Sequence, residues 1–228
     1  MILFFLKGSA KRADVLKHNI RTLLPNYVKK STLVSICDTR WVERHDAVAC
    51  HNEVLHAILH TLQAFADSDD INSDKADSLY IREREFDFIM SSLIVEFVAR
   101  LMLKLSTYLQ SKTMNIVDAC DEVGDIKNIL RSTISDSSRT EFVCRFNKAK
   151  EMADAIGIPV QTRNLRSHST GDDVADYYYH HVFVPYLQSV IDELETRFSS
   201  HLRLAAKASS LIPLKIRSFE SQDDLRIY

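Results

Sequence analysis

Two arginines flank the only tryptophan of the chain in the octet Cys37-Asp38-Thr39-Arg40-Trp41-Val42-Glu43-Arg44. An arginine fork can bridge phosphate oxygens in two parallel hydrogen bonds, and an exposed indole can stack on an unstacked base, worth about 1–3 kcal/mol per stack. Arg40, Trp41 and Arg44 are therefore the candidate nucleic-acid contacts. The same residues also admit a structural role, in which Trp41 plugs the junction between two elements. Arg40 would then pair with Asp38 or Glu43, and Arg44 would serve packing.

Other reactive side chains form no complete site. His45, His51, His56 and His60 crowd around Cys50, and His56 and His60 stand four apart, a spacing that lets two imidazoles share a helix face. No Cys-x-x-Cys pair or His-Glu-x-x-His motif completes a zinc site, so packed or solvated histidines are expected, with no metal and no cofactor. There is no Gly-x-Ser-x-Gly elbow and no phosphate-binding glycine loop, and none of the four cysteines has a setting that would lower its pKa. Tyr177-Tyr178-Tyr179-His180-His181 is conspicuous, but at helical spacing about half of it must face a core.

With 228 residues, 46% of them hydrophobic, the chain can bury a core of its own. Four glycines and four prolines are too few for a turn-rich sandwich and favour long helices. The longest apolar stretch, Phe86 to Leu109, is interrupted by Glu96, Arg100 and Lys104. Each of these would oppose membrane insertion by roughly 2.5 to 3.5 kcal/mol, so no membrane partner is expected. The opening run Met1 to Leu6 is short and lacks a cleavage site, which makes it a poor signal peptide. Widely scattered cysteines fit an intracellular, reduced compartment. Residues 1–60 carry nine Lys or Arg against five Asp or Glu, about +4 within a total of −2, which leaves about −6 beyond them. A nucleic-acid face, if present, belongs toward the N-terminus.

The elements follow from periodicity. Residues 9 to 24 read as a helix capped by Ser9 and ended by Pro25, and Leu33 to Ile36 as a buried strand with the Arg-Trp octet at its end. From Glu43 one apolar stripe, Ala47 to Phe65, predicts a continuous helix, followed by an acidic loop from Asp67 to about Ser78. Tyr80 to Gln110 should be the central core helix, with further helices from Asn115 to Ile134 and from Ser137 to Ile156. Gly157 followed by Pro159 is a stop. Residues 158–173 read as a flexible linker, and Asp172 or Asp173 caps a last helix kinked near Pro185. Beyond Pro213 a frayed tail is expected.

Followed by Asp46-Ala47-Val48, the octet resembles the corresponding block of hAT-superfamily transposases. The likeness is to domesticated members related to MYM-type zinc-finger proteins and to the repressor of the inhibitor of the interferon-induced protein kinase. Phe4-Phe5 with Lys11-Arg12 and Val15-Leu16, Tyr108 to Lys112, Ala155 to Pro159 and Tyr178 to Phe198 look like the same family in the same order, covering about residues 4 to 200. The resemblance implies a mainly α chain: a helical bundle, the insertion domain, carrying a short remnant of an RNase H-like α/β core at its N-terminus. Expected boundaries are 1–45 for the remnant, 46–157 for the insertion domain, 158–173 for the linker, 174–212 for a long helix packing on the bundle and 213–228 for the tail. It also implies DNA-end handling by Arg40 and Trp41, and a nuclear location.

The same resemblance places the family's first two catalytic acids upstream of Met1 and its last near or after the end of this chain. Two-metal phosphoryl transfer needs several carboxylates converging on ions about 4 Å apart, so no catalytic residue is assigned and no enzyme is expected. Asp38 belongs to the Arg-Trp block in the family pattern. The family's zinc-binding DNA-recognition module and its dimerisation segment are also not found, and Met1 reads as a truncated start. Three function classes stay open: a noncatalytic DNA-associated protein, a helical protein-interaction module in transcriptional regulation, or part of a longer active transposase. DNA and protein partners are the candidates, with oligomeric state unassigned.

Overall fold

The computed structural model describes residues 2–27, 41–69, 71–110, 116–161 and 171–198, and among them it is mainly α-helical with no strand. The expected strand Leu33 to Ile36 lies outside the described residues, as do Cys37, Asp38 and Arg40.

The apolar start of the chain is a helix. Helix α1 (Ile2–Lys7) buries Phe5 and Leu6 and turns at Gly8 into α2 (Ala10–Leu23). Gly8 suits that corner because a Cβ there would meet the Phe4 carbonyl oxygen at 2.7 Å. Arg12 braces it, donating from Nε to the Phe5 carbonyl (2.7 Å) with its guanidinium 4.4 Å from the Phe5 ring centre. Ser9 stands at the N-cap of α2 in extended backbone, but its hydroxyl makes no cap hydrogen bond.

The continuous helix expected from Glu43 to Phe65 is two helices, α3 (Trp41–Glu53) and α4 (Leu55–Ala66), which meet at the fully buried Val54. The bend separates their duties. α3 lies along the later helix α6 (Phe86–Leu109), while α4 packs on α2 and on α5 (Ser73–Glu83). One unbroken apolar stripe gave no sign of this, because both segments bury the same kinds of side chain in different neighbours. The acidic loop is shorter than expected and gives way to α5 at Ser73. Ala76 and Leu79, at helical spacing, bury one stripe of an otherwise polar segment. Tyr80 consequently belongs to α5, and the central helix begins at Phe86.

That central role for α6 is borne out: Ile89, Met90, Leu93, Ile94 and Phe97 are buried against α3, α5, α7 (Ile116–Ser135) and α8 (Thr140–Ala155). α7 turns Val123, Ile126 and Leu130 inward as its spacing predicts. The last turn of α8 closes as a Schellman motif: Ile158 N–H bonds to the Ala153 carbonyl (2.8 Å) and Gly157 N–H to that of Asp154 (3.2 Å). Gly157 takes φ +66°, which disfavours any residue with a Cβ by about 1–2 kcal/mol, and Ile158 drops into the core.

α8 starts three residues later than expected because Asp136 to Arg139 form the turn from α7. Asp136 accepts the Ser138 hydroxyl and, at 2.9 Å, the backbone N–H of Thr140, so it caps the new helix. The Ser138 hydroxyl first, and the Thr140 amide second, hold its carboxyl down to about 2. A carboxyl with a depressed folded pKa stabilises the fold above its ordinary value near 3.8, and that contribution disappears as pH falls toward 2. Carbon-13 titration should place the Asp136 midpoint near 2, and Ser138→Ala should raise it; a midpoint already near 3.8 in the parent would remove this cap.

After the described stretch ending at Gln161, α9 (Gly171–Tyr178) leads through a π turn (Tyr179–Phe183) into α10 (Val184–Arg197). The expected kink near Pro185 is thus a widened turn just ahead of it. Proline has no N–H for the carbonyl four residues back, and its ring crowds that carbonyl, so local widening relieves both problems. Phe183, on the π turn, is completely buried.

Candidate functional site

Trp41 and Arg44 lie in α3, whose described residues begin at Trp41. The structure therefore sets this part of the Arg-Trp block on a helix, and the side chains of residues 41–44 are outside the described set. Helix α3 packs along α6. Its inner face buries Ala47, Cys50, His51 and Asn52.

Two of those four are polar, and each has a partner. His51 Nε2 lies 2.9 Å from Glu83 Oε2 at the end of α5, with side chains only 10% and 4% exposed. The imidazole also meets the Phe88 ring edge-on at 5.6 Å. Asn52 donates to Glu96 on α6 (2.6 Å) and accepts the Ser92 hydroxyl (2.8 Å). Glu96 in turn pairs with Lys148 of α8 at 3.6 Å. Tyr27, following α2, points its hydroxyl at the Cys50 sulfur (3.6 Å), and burial followed by this contact pushes the phenol pKa up. Polar bonds thus fasten α3 to α5, to α6 and to the segment that follows α2, and an unsatisfied buried group at any of them would cost about 1–3 kcal/mol.

Beside this network runs a half-open cleft of about 550 Å³. Ala47, Val48 and His51 of α3 form one wall, and Phe88, Ser91, Ser92 and Val95 of α6 the other. Glu83, Glu85 and Asp87 stand around the α5–α6 junction at one end, together with Arg82. Tyr178 donates its hydroxyl to Asp87, which ties that junction to α9.

Of the histidines that cluster in sequence, only His56 and His60 stay together, on one face of α4 as their spacing predicts. His51 is buried on α3, His45 lies 3.3 Å from Asp46, and His56 and His60 face one another on α4 with ring centres 4.9 Å apart. Burial first and His60 second make His56 harder to protonate. Among the described residues no group of three or more His, Cys, Asp or Glu could hold a metal ion. Cys50 and Cys120 are buried free thiols, and Cys144 is an exposed one.

Packing, as expected, accounts for the tyrosine run. Tyr178 and Tyr179 are buried, Tyr177 stacks on His181 at 4.8 Å, and Arg139 lies over Tyr179 at 4.0 Å while pairing with Asp176. What sequence reading missed is the His51–Glu83 and Asn52–Ser92–Glu96 network. A signal existed: Glu83 follows Leu79 by four residues, placing a carboxylate on the buried stripe of α5.

The molecule is thus a helical protein with Trp41 and Arg44 on a helix that polar bonds lock into the bundle. Among the described residues no helix is long and apolar enough to cross a membrane. No family model matches the chain, and no solved structure matches it. It is similar to the 52 kDa repressor of the inhibitor of the protein kinase from Mus musculus, 24% identical over 196 residues. The protein of the same name from Homo sapiens is 27% identical over 203 residues. In both cases the similarity spans 79% of this chain and 25% of the relative, so the chain covers about a quarter of the length of the curated proteins it matches.

Proposed function

We propose that this chain is a transposase-derived, noncatalytic helical protein that associates with DNA through Arg40, Trp41 and Arg44. The observation that carries the reading is that Trp41 and Arg44 lie three residues apart on α3, a spacing that places both on one face of the helix. The two repressor relatives support a regulatory role, in keeping with a nuclear location. In this reading residues 1–45 are a remnant of an RNase H-like core, 46–157 a helical insertion domain, 158–173 a linker, and 174–212 a helix returning to the bundle.

The test is binding to branched and single-stranded DNA ends over a range of salt. Affinity should fall with salt by a log–log slope of roughly −0.7 for each phosphate contacted on a single strand. Trp41→Ala should weaken binding about tenfold with the slope kept, as loss of one stacked base does. Arg40→Ala should lower the slope by about one contact. Absence of salt-sensitive binding, or indifference to both substitutions, removes the DNA reading.

A second reading, a protein-interaction module in transcriptional regulation, is favoured by the cleft between α3 and α6. Its walls are partly apolar and its end is acidic, which suits a protein segment better than a phosphate backbone.

A further inference from the structure

We infer that the α3–α6 cleft is a docking groove for a basic amphipathic segment of a partner protein, an apolar anchor followed within a turn by lysine or arginine. This deepens the interaction-module reading and rests on it.

The groove is a consequence of residue size and helical register. Phe88, Ser91, Ser92 and Val95 recur at steps of three, one and three, so they share one face of α6, while Ile89, Met90 and Leu93 fill the core behind. Opposite them, Ala47, Val48 and His51 share a face of α3. Small side chains at Ala47, Ser91 and Ser92 keep the space between the helices unfilled. Val48, Phe88 and Val95 remain half-buried, which leaves an apolar floor in contact with solvent. The volume, about 550 Å³, lies within the range of sites that enclose a ligand or an anchoring side chain.

Charge selects the occupant. Glu83, Glu85 and Asp87 stand at one end against one arginine, Arg82, among the described lining residues. Glu83 and Asp87 are held in place by His51 and Tyr178, and a carboxylate offers about four lone-pair sites, so one such bond does not saturate it. One acid near the start of α6 would serve the helix dipole; three there, beside an apolar floor, also create a negative field. An apolar side chain would leave water for the floor while a neighbouring ammonium or guanidinium met the acids. This is the helix-in-groove mode of recognition. A phosphate backbone would instead be repelled.

Fluorescence polarisation on the full chain tests the proposal with two labelled peptides that share leucines at helical spacing, one carrying lysines between them and the other glutamates. The Leu/Lys peptide should bind saturably, at least about tenfold tighter than the Leu/Glu peptide, and more weakly as salt rises. Ser91→Arg, which fills the groove with a cation, should weaken it about tenfold. Because that variant alters a helix–helix contact, Arg82→Glu on the exposed surface gives an independent arm: it should tighten Leu/Lys binding about threefold and leave the helical circular dichroism intact. Saturable binding that ignores Arg82→Glu, and ignores a folded Ser91→Arg, overturns the groove while leaving an interaction module with another surface. Equal binding of both peptides overturns the charge selection, and no binding of either overturns the proposal together with the reading it rests on.

Discussion

Glu83→Ala should destabilise the protein by about 3 kcal/mol in chemical unfolding, the loss that follows when one partner of a buried pair is left alone. His51, whose side chain is 10% exposed in the intact pair, would lose the carboxylate that stands 2.9 Å from its Nε2. The size of the effect comes mainly from the stranded imidazole, because the pair itself is partly offset by the desolvation of both groups. A double replacement makes that distinction. His51→Leu with Glu83→Leu should return stability to within about 1 kcal/mol of the parent, since two apolar groups need no hydrogen bonds. The cycle should report a coupling of about 2 kcal/mol between the two positions. A Glu83→Ala protein with unchanged unfolding midpoint would show that α3 is not fastened through this pair. Because α3 carries Trp41 and Arg44, the single variant should also weaken any DNA contact made there, while the double variant should restore it.

Phe183→Ala should have the largest effect of any single truncation, about 4 kcal/mol, within the range for buried phenylalanines. The ring is fully buried, with centroids 5.5 Å from Phe142, 6.1 Å from Tyr179 and 6.4 Å from Phe97. Its removal empties the junction where the π turn and α10 meet α6 and α8. For a chain of this size the melting temperature should fall by roughly 12 °C, at about 2–4 °C per kcal/mol. Phe4→Ala is the control: that ring is 76% exposed and its loss should stay within about 0.5 kcal/mol. A Phe183→Ala protein that melts like the control would mean that the aromatic cluster does not hold the C-terminal helices.

The helices whose apolar residues recur every three or four positions were legible in the sequence. α6, α7 and α8 follow that rule, as does the stop at Gly157, because periodicity and a left-handed glycine are local properties. The bend at Val54 was not legible, since an apolar stripe has the same pattern whether it faces one neighbour or two. Nor was α5, whose stripe of Ala76, Leu79 and Glu83 is narrow and contains a charge. Of the candidate site, the Arg-Trp block was read from the sequence, and the structure adds that Trp41 and Arg44 lie on a helix. The polar network behind that helix joins residues 32 to 44 positions apart. No spacing rule reaches that far.

By itself the sequence determined a helical chain with a buried core, a tryptophan between arginines near its N-terminus, and a family resemblance running through most of its length. Tertiary structure alone decided that His51 leaves the other nearby histidines to meet Glu83, and that small residues on α3 and α6 leave an acidic, apolar-floored cleft between them. The division has a physical cause. Helix formation depends on neighbours three and four residues away, whereas pairing and cavities depend on which faces are pressed together, and that is settled only when distant segments compete to bury their apolar surface.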